Sequence, residues 1–289
     1  MFLRNRDRGC RAHFGSAIAQ KALHAAGLDT FDAIWELEAD WVEEPNFRRS
    51  GWSGVCRVLL PMGGQETTII YIKRQQGHCF RALRHGFLSR PTAYREYVRL
   101  SQLKVRGIAV PEVIYYGERR YGKHPQAILI TREVPHCLTL DEYLQTAAGR
   151  TPQEVDRLIR DTAVLVHSLH RIYLQHSSLY GKHILIANAG KSCPGDACAD
   201  RQIVPHLIDL EKSRYHISRN AIAVHDLSQL FRHTPWAGAQ WDAFIQQYRS
   251  AGRMWTIRGS LADRVARKVC AKAARKRRKD LARSSSQSR

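Results

Sequence analysis

The chain has 289 residues, 44% of them apolar, a globular composition able to bury a sizeable core in one two-lobed domain or two small ones. Forty-six Lys and Arg against 26 Asp and Glu give a formal charge of +20 and point to an anionic partner: a nucleic acid, a membrane surface or a phosphorylated substrate. The patterning excludes a spanning helix, since no window approaches about 18 uninterrupted apolar residues, and Met1 to Gln20 holds no apolar run of about seven, so no signal peptide is expected. Seven cysteines, an odd number scattered without a CxxC pair, fit a reducing cytosol.

Residues 1–30 are basic and Ala-rich, with one short helix near Ala17 to Ala26, and read as an arm outside the core. Residues 31–133 carry the first lobe. Ala33 to Trp41 mixes aromatic and acidic residues and could open a sheet. Small residues in Arg48-Arg49-Ser50-Gly51-Trp52-Ser53-Gly54 predict a flexible turn, which runs into the alternating stretch Val55 to Leu60 and a second turn at Pro61-Met62-Gly63-Gly64. Thr67 to Lys73 then reads as a strand with Ile69, Tyr71 and Lys73 on one face and Ile70 and Ile72 on the other. Small side chains let a backbone approach phosphate oxygens, and a lysine ending the next strand can reach the same phosphates. Gly51, Ser53, Gly54 and Lys73 are therefore candidate nucleotide-binding residues, although Lys73 taken alone is equally an ordinary strand-end lysine.

Thr92 is expected to cap a helix after Pro91, with Tyr94, Tyr97, Val98 and Leu103 inward and Gly107 as its stop. Glu96, the one acid within that helix, is either a surface ion pair or the partner that holds Lys73. Ile108 to Tyr116 and Ala127 to Thr131 complete a small sheet of about five strands. Glu133-Val134-Pro135 breaks the pattern and marks the start of a second lobe over residues 134–260, with Glu133 at the junction counted among the nucleotide-binding candidates.

Two Thr-x-x-Glu capping boxes follow, Thr139 to Glu142 and Thr151 to Glu154, the second with Pro152 at the first helical position. Beyond Val155, Leu158, Ile159, Thr162, Leu165, Val166, Leu169, Ile172 and Tyr173 keep a helical period, predicting a long buried helix in which His167 and His170 are packing or surface residues. That helix delivers the chain to His176-Ser177-Ser178 and then Leu179-Tyr180-Gly181-Lys182-His183-Ile184. After a polar loop, Ala187 to Arg201, comes His206-Leu207-Ile208-Asp209-Leu210-Glu211. In both stretches an apolar β-like run lies beside polar residues that could converge on a phosphate and a cation, which is what a kinase-like phosphotransfer site requires. Where a protein kinase has His-Arg-Asp, this chain has His176-Ser177-Ser178, so Ser178 stands at the catalytic carboxylate position. Cys193 and Cys198 in the loop could chelate a metal or form a bridge. Trp236, Trp241 and Phe244 read as core or interface aromatics. Within the tail, residues 261–289, Arg264 to Arg289 has eleven Lys or Arg and one acid, Asp280, and so carries +10. It reads as a solvated helix, an anionic-lipid contact or a nucleic-acid contact.

These residues carry a resemblance. Gly51-Trp52-Ser53-Gly54-Val55, Lys73, Leu179-Tyr180-Gly181-Lys182-His183-Ile184, Ile208-Asp209-Leu210-Glu211-Lys212 and Asp226-Leu227 follow one another, over Trp41 to Phe231, as in the Kdo/WaaP lipopolysaccharide-kinase superfamily, and the chain resembles its InaA-like branch. The resemblance implies an α+β, bilobal protein-kinase-like fold: a small N-terminal lobe of antiparallel sheet with one helix, and a larger helical C-terminal lobe. It implies ATP and Mg2+ as cofactors and phosphorylation of a sugar of the lipopolysaccharide core at the cytoplasmic face of a Gram-negative inner membrane. Residue by residue, Lys73 would grip the ATP phosphates, Glu96 would anchor it, and Asp209 would bind the metal. His183 would bind the metal or orient the backbone, and Asp226 would brace the catalytic loop.

A serine cannot act as general base near neutral pH without help, so Ser178 leaves three outcomes: a slow kinase in which Asp209 or His176 substitutes, a nucleotide-binding pseudokinase, or another transfer chemistry. The leading expectation is a lipopolysaccharide-core phosphotransferase held to anionic lipid by its basic ends. A pseudokinase with an envelope or stress role is the second, and a nucleic-acid-binding protein, supported by charge alone, is the third.

Overall fold

The computed structural model describes residues 10–48, 51–63, 66–81, 89–121, 124–188, 203–252, 261 and 263–272. The architecture is mixed α/β and divides into two compact units, Met1–Pro135 with Ile208–Lys212, and His136–Leu207 with Ser213–Arg289.

The first unit is built on six antiparallel strands: β1 (Arg11–Phe14), β2 (Trp41–Arg48), β3 (Gly51–Gly63), β4 (Glu66–Gln76), β7 (Val113–Tyr121) and β8 (His124–Arg132). Their order is β1-β7-β8-β4-β3-β2. A small β5–β6 pair (Cys79–Arg81 and Ser89–Pro91) precedes the helix α3 (Thr92–Val105). The two-residue period of β4 is as expected: Ile70 and Ile72 are fully buried on one face, which puts Lys73 on the other. From Arg11 on, the expected N-terminal arm is instead part of this core. β1 pairs with β7, and Ala19, Ala22 and Leu23 of α1 (Ala17–Ala25) pack with Ile70, Ile72 and Ile130. Composition hid this because an Ala-rich helix buries only a narrow stripe. The stretch expected to open a sheet begins as a helix, α2 (Phe31–Glu36), because Thr30 caps it by accepting from the Ala33 N–H at 3.1 Å. Among the described residues, three helices thus accompany the sheet where one was expected.

In the second unit both capping boxes form, on α4 (Leu140–Gln145) and on α5 (Pro152–Arg171). α5 buries Leu158, Ile159, Thr162, Leu165, Val166 and Leu169, with His167 and His170 beside them. Three short strands, β9 (Leu138–Thr139), β11 (Ile184–Ala187) and β12 (Val204–Leu207), form a sheet, and β10 (Leu174–Gln175) pairs with β13 (Arg214–Tyr215). α6 (Arg219–His233), α7 (Gly238–Ser250) and α8 (residues 263–272) complete the unit. The aromatics expected in the core cluster there: Trp241 and Phe244 stack at 5.3 Å, with Trp236 5.3 Å from Phe244. Cys193, Cys198 and the tail beyond residue 272 lie outside the described residues. Among the described residues no helix is long and apolar enough to cross a membrane.

Candidate functional site

In the first unit the site is set by β4 and α3. Lys73 and Gln75 lie on the same face of β4, two residues apart, and both meet α3. Gln75 Oε1 accepts from the Ala93 N–H and the Thr92 hydroxyl, each at 3.0 Å, so it does the capping work expected of Thr92. Pro91 is the cap residue and supplies no side-chain acceptor. Replacing Gln75 with alanine is expected to cost about 1 kcal/mol, the worth of a helix cap, read as a lower denaturant midpoint.

One turn into α3, Glu96 accepts from Lys73 Nζ at 2.8 Å. The buried stripe of α3 is Ala93, Glu96, Leu100 and Leu103, not the expected Tyr94, Tyr97 and Val98. The tyrosines flank that stripe and pack on Tyr116, with Tyr97 stacked at 4.6 Å and Tyr94 at 5.8 Å. Glu96 therefore sits in the buried stripe, not in a surface ion pair.

Lys73 Nζ also donates to Glu211 Oε2 at 3.0 Å, a partner the sequence did not predict. Glu211 lies in a short turn, Leu210–Lys212, whose main chain is fixed to α3 by Arg95 Nη1 donating to the Glu211 carbonyl at 3.2 Å. Asp209, just before that turn, has φ +55°, a left-handed conformation that a non-glycine residue rarely adopts. Burial alone would lower the pKa of Lys73. The carboxylates of Glu96, Glu211 and Asp209 outweigh it and hold the ammonium charged well above its ordinary range. Glu96 moves the other way, its carboxyl raised by burial and by the two neighbouring acids against the pull of Lys73.

Gly51, Ser53 and Gly54 lie within β3 and not in the expected turn, and Arg49 and Ser50 lie outside the described residues. Val55 pairs with Lys73 and Ser53 with Gln75, which shares their face, while Gly54 pairs with Arg74 on the opposite one. Packing explains both glycines. A Cβ on Gly54 would lie 2.6 Å from the Trp41 ring, and one on Gly51 2.4 Å from the Gln76 carbonyl oxygen. Glu133 accepts from the Tyr71 hydroxyl at 3.1 Å and from Arg57 Nε at 3.4 Å.

In the second unit Asp226 on α6 organises the loop after β10. It is fully buried, and its two oxygens accept from the His176 N–H at 2.7 Å and the Ser177 N–H at 3.0 Å. His170 Nε2 is 3.3 Å away, and His170 Nδ1 meets the Tyr248 hydroxyl at 2.8 Å. His225 Nδ1 lies 3.0 Å from the same carboxylate. Burial would raise the Asp226 pKa, but hydrogen bonds from His170 and His225 reverse this and hold it far below the ordinary carboxylate range. Ser177 has φ +71°, so the tight turn into Ser178 rests on this clamp.

Ser178 is 4% exposed and His176 fully buried. His183, at the end of the short helix Gly181–His183, directs Nδ1 to the Ser178 carbonyl at 2.8 Å, and its ring stacks on His176 with centroids 6.1 Å apart. A carbonyl oxygen can only accept, so Nδ1–H is the donor in this contact. Gly181 is required by space: a Cβ there would lie 1.8 Å from Asp141 Oδ1.

The pattern of the Lipopolysaccharide kinase (Kdo/WaaP) family matches residues 32–248. The chain belongs to this family. Among its relatives, Protein InaA of Escherichia coli (strain K12) is 31% identical over 227 residues, 78% of this chain and 97% of that protein. A solved structure described as WaaP in complex with acyl carrier protein superposes with a TM-score of 0.58 at 18% identity, covering 93% of this chain and 98% of that one. The likeness to WaaP is one of fold. The resemblance to the InaA-like branch, carried by Gly51–Val55, Lys73, the His183 segment, the Asp209 segment and Asp226–Leu227, stands.

As a member of a kinase family, the chain can be tested for fit to a magnesium nucleotide. The donor set suits one. Lys73 is a point charge for phosphate, and Asp209 and Glu211 are hard-oxygen donors two residues apart. Among the described residues no group of three or more His, Cys, Asp or Glu is arranged to hold a metal by itself, and Mg2+ commonly completes its shell with phosphate oxygens and water.

Proposed function

We propose that the chain is an ATP- and Mg2+-dependent phosphotransferase acting on a hydroxyl of a lipopolysaccharide-core sugar. The observation that carries this reading is the Lys73–Glu96 pair at 2.8 Å between β4 and α3, the ion pair that phosphoryl transfer in this fold relies on to orient the phosphates. In this reading Lys73 binds the phosphates, Glu96 positions Lys73, and Asp209 supplies oxygen to Mg2+. Asp226 holds the His176–Ser177 main chain. His183 orients Ser178 through the 2.8 Å contact to its carbonyl and is a poor Mg2+ ligand beside an oxygen donor. His176, whose ring is fully buried, supports the loop from within. When bound, the magnesium nucleotide supplies the γ-phosphoryl group and neutralises its developing charge. The remaining basic surface and tail would hold the protein at the anionic cytoplasmic face of a Gram-negative inner membrane. WaaP's acyl carrier protein makes a carrier protein a partner to test by co-purification.

Ser178 favours a second reading, a pseudokinase that binds nucleotide without efficient transfer. Both readings require a live nucleotide site. Calorimetry of ATP binding is expected to give Mg2+-dependent association in the wild type, weakened at least tenfold by Lys73→Ala and by Asp209→Ala. A folded wild type that binds no ATP at millimolar concentration sinks the phosphotransferase reading.

A further inference from the structure

We propose that Glu211 is a gate on Lys73: it occupies a donor position that the phosphates must take, and it sets the requirement for a divalent cation. The inference rests on the nucleotide-binding reading above and concerns a residue to which that reading gives no role of its own.

The argument begins with donor capacity. An ammonium has three N–H donors and no more. Lys73 Nζ already gives one to Glu96 at 2.8 Å and one to Glu211 at 3.0 Å. Gripping two phosphoryl oxygens while keeping Glu96 therefore requires giving up Glu211. Of the two carboxylates, Glu211 is the one built to leave. Glu96 is fixed in the buried stripe of α3 with its side chain 10% exposed, whereas the Glu211 side chain is 24% exposed and sits on a three-residue turn. The main chain beneath it stays anchored, because Arg95 bonds the Glu211 carbonyl and not its carboxylate. The carboxylate can swing while its base stays put.

Charge gives the second part. Lys73 faces three acids, Glu96, Asp209 and Glu211, each of which acts electrostatically on it. These four groups carry one positive and three negative charges; Arg95, which acts on Glu211, offsets part of that excess, and the remainder repels a polyphosphate. A divalent cation removes that repulsion, and the Glu211 carboxylate, two residues from Asp209, gains a hard-cation partner as it loses the ammonium. Nucleotide and cation therefore enter together. Neutralising Glu211 lowers the barrier to nucleotide alone, while Glu96 and Asp209 still keep Lys73 charged.

The test is calorimetry of ATP binding to the folded full chain, with Mg2+ and with chelator, for wild type, Glu211→Gln, Glu211→Ala and Glu96→Gln, each checked for folding by thermal melting. Glu211→Gln and Glu211→Ala are expected to bind cation-free ATP at least tenfold more tightly than wild type, and to narrow the ratio between affinities with and without Mg2+. Glu96→Gln is expected to weaken both affinities. If wild type binds magnesium ATP and both Glu211 variants bind cation-free ATP no more tightly than wild type, the gate is overturned and the nucleotide reading survives. If neither wild type nor the Glu211 variants bind ATP in any form, both fail. Binding by the Glu211 variants alone also overturns the gate, because the wild type would then fail to admit magnesium ATP.

Discussion

Replacing Asp226 with alanine is expected to cost about 3–5 kcal/mol of stability, the usual penalty for removing one partner from a buried charged network. Its side chain is fully inaccessible and serves the His176 and Ser177 N–H groups and His170 together. Without the carboxylate, one buried N–H, one half-buried N–H and a buried ring lose their acceptor, and the left-handed turn at Ser177 loses what holds it. Asparagine at 226 keeps the shape and one acceptor oxygen, and is expected to cost less. Acid unfolding provides a second readout. The Asp226 carboxyl titrates below its unfolded value of about 3.9. Its contribution is therefore complete above that pH and is lost as pH falls below it. Denaturant unfolding measured from neutral pH down to pH 2 should give a steep acid limb in the wild type and a flatter one in Asp226→Ala. A variant within about 0.5 kcal/mol of wild type at neutral pH, the range of an ordinary surface substitution, would mean that the clamp is not needed for folding.

What the sequence made legible here is local and periodic. The alternation of Ile70, Ile72 and Lys73 was enough to put the lysine opposite the core, and the two Thr-x-x-Glu boxes marked the starts of α4 and α5, because both signals lie within a few residues. The register of α3 was misread because tyrosines look more buriable than a glutamate. The residue that belongs inside is Glu96, whose cost of burial is met by Lys73, and nothing within the helix reports that partner. Glu211 was illegible for the same reason at longer range, since it meets Lys73 across 138 residues of sequence. Gln75 caps α3 from a different element, so the cap cannot be seen by inspecting the residues before the helix. The glycines of β3 suggested a phosphate loop when their requirement is contact with Trp41 and with the Gln76 carbonyl. At residues 1–30, positive charge and alanine outweighed the apolar positions Ala19, Ala22 and Leu23, which a three-to-four-residue spacing places on one stripe.

Replacing Ser178 with aspartate is expected to raise the rate of phosphoryl transfer by about 100- to 10,000-fold, the range attributable to a general base. The position lends itself to the test. The His183 contact at 2.8 Å is to the Ser178 carbonyl, and the clamp on Asp226 uses the main chain of His176 and Ser177. A change of side chain at 178 therefore leaves the supports of the loop in place. A carboxylate there can accept the proton of an acceptor hydroxyl, which a serine near neutral pH does not. The measurement is single-turnover transfer of the γ-phosphate of magnesium ATP to a dephosphorylated lipopolysaccharide core, comparing wild type, Ser178→Asp and Ser178→Asn. Asparagine matches aspartate in size and cannot take the proton, so it should leave the rate at the wild-type level. If Ser178→Asp binds nucleotide as well as wild type and transfers no faster, removal of the hydroxyl proton does not limit the reaction. The loose, dissociative character of phosphoryl transfer then explains how a chain with serine at this position works without the carboxylate.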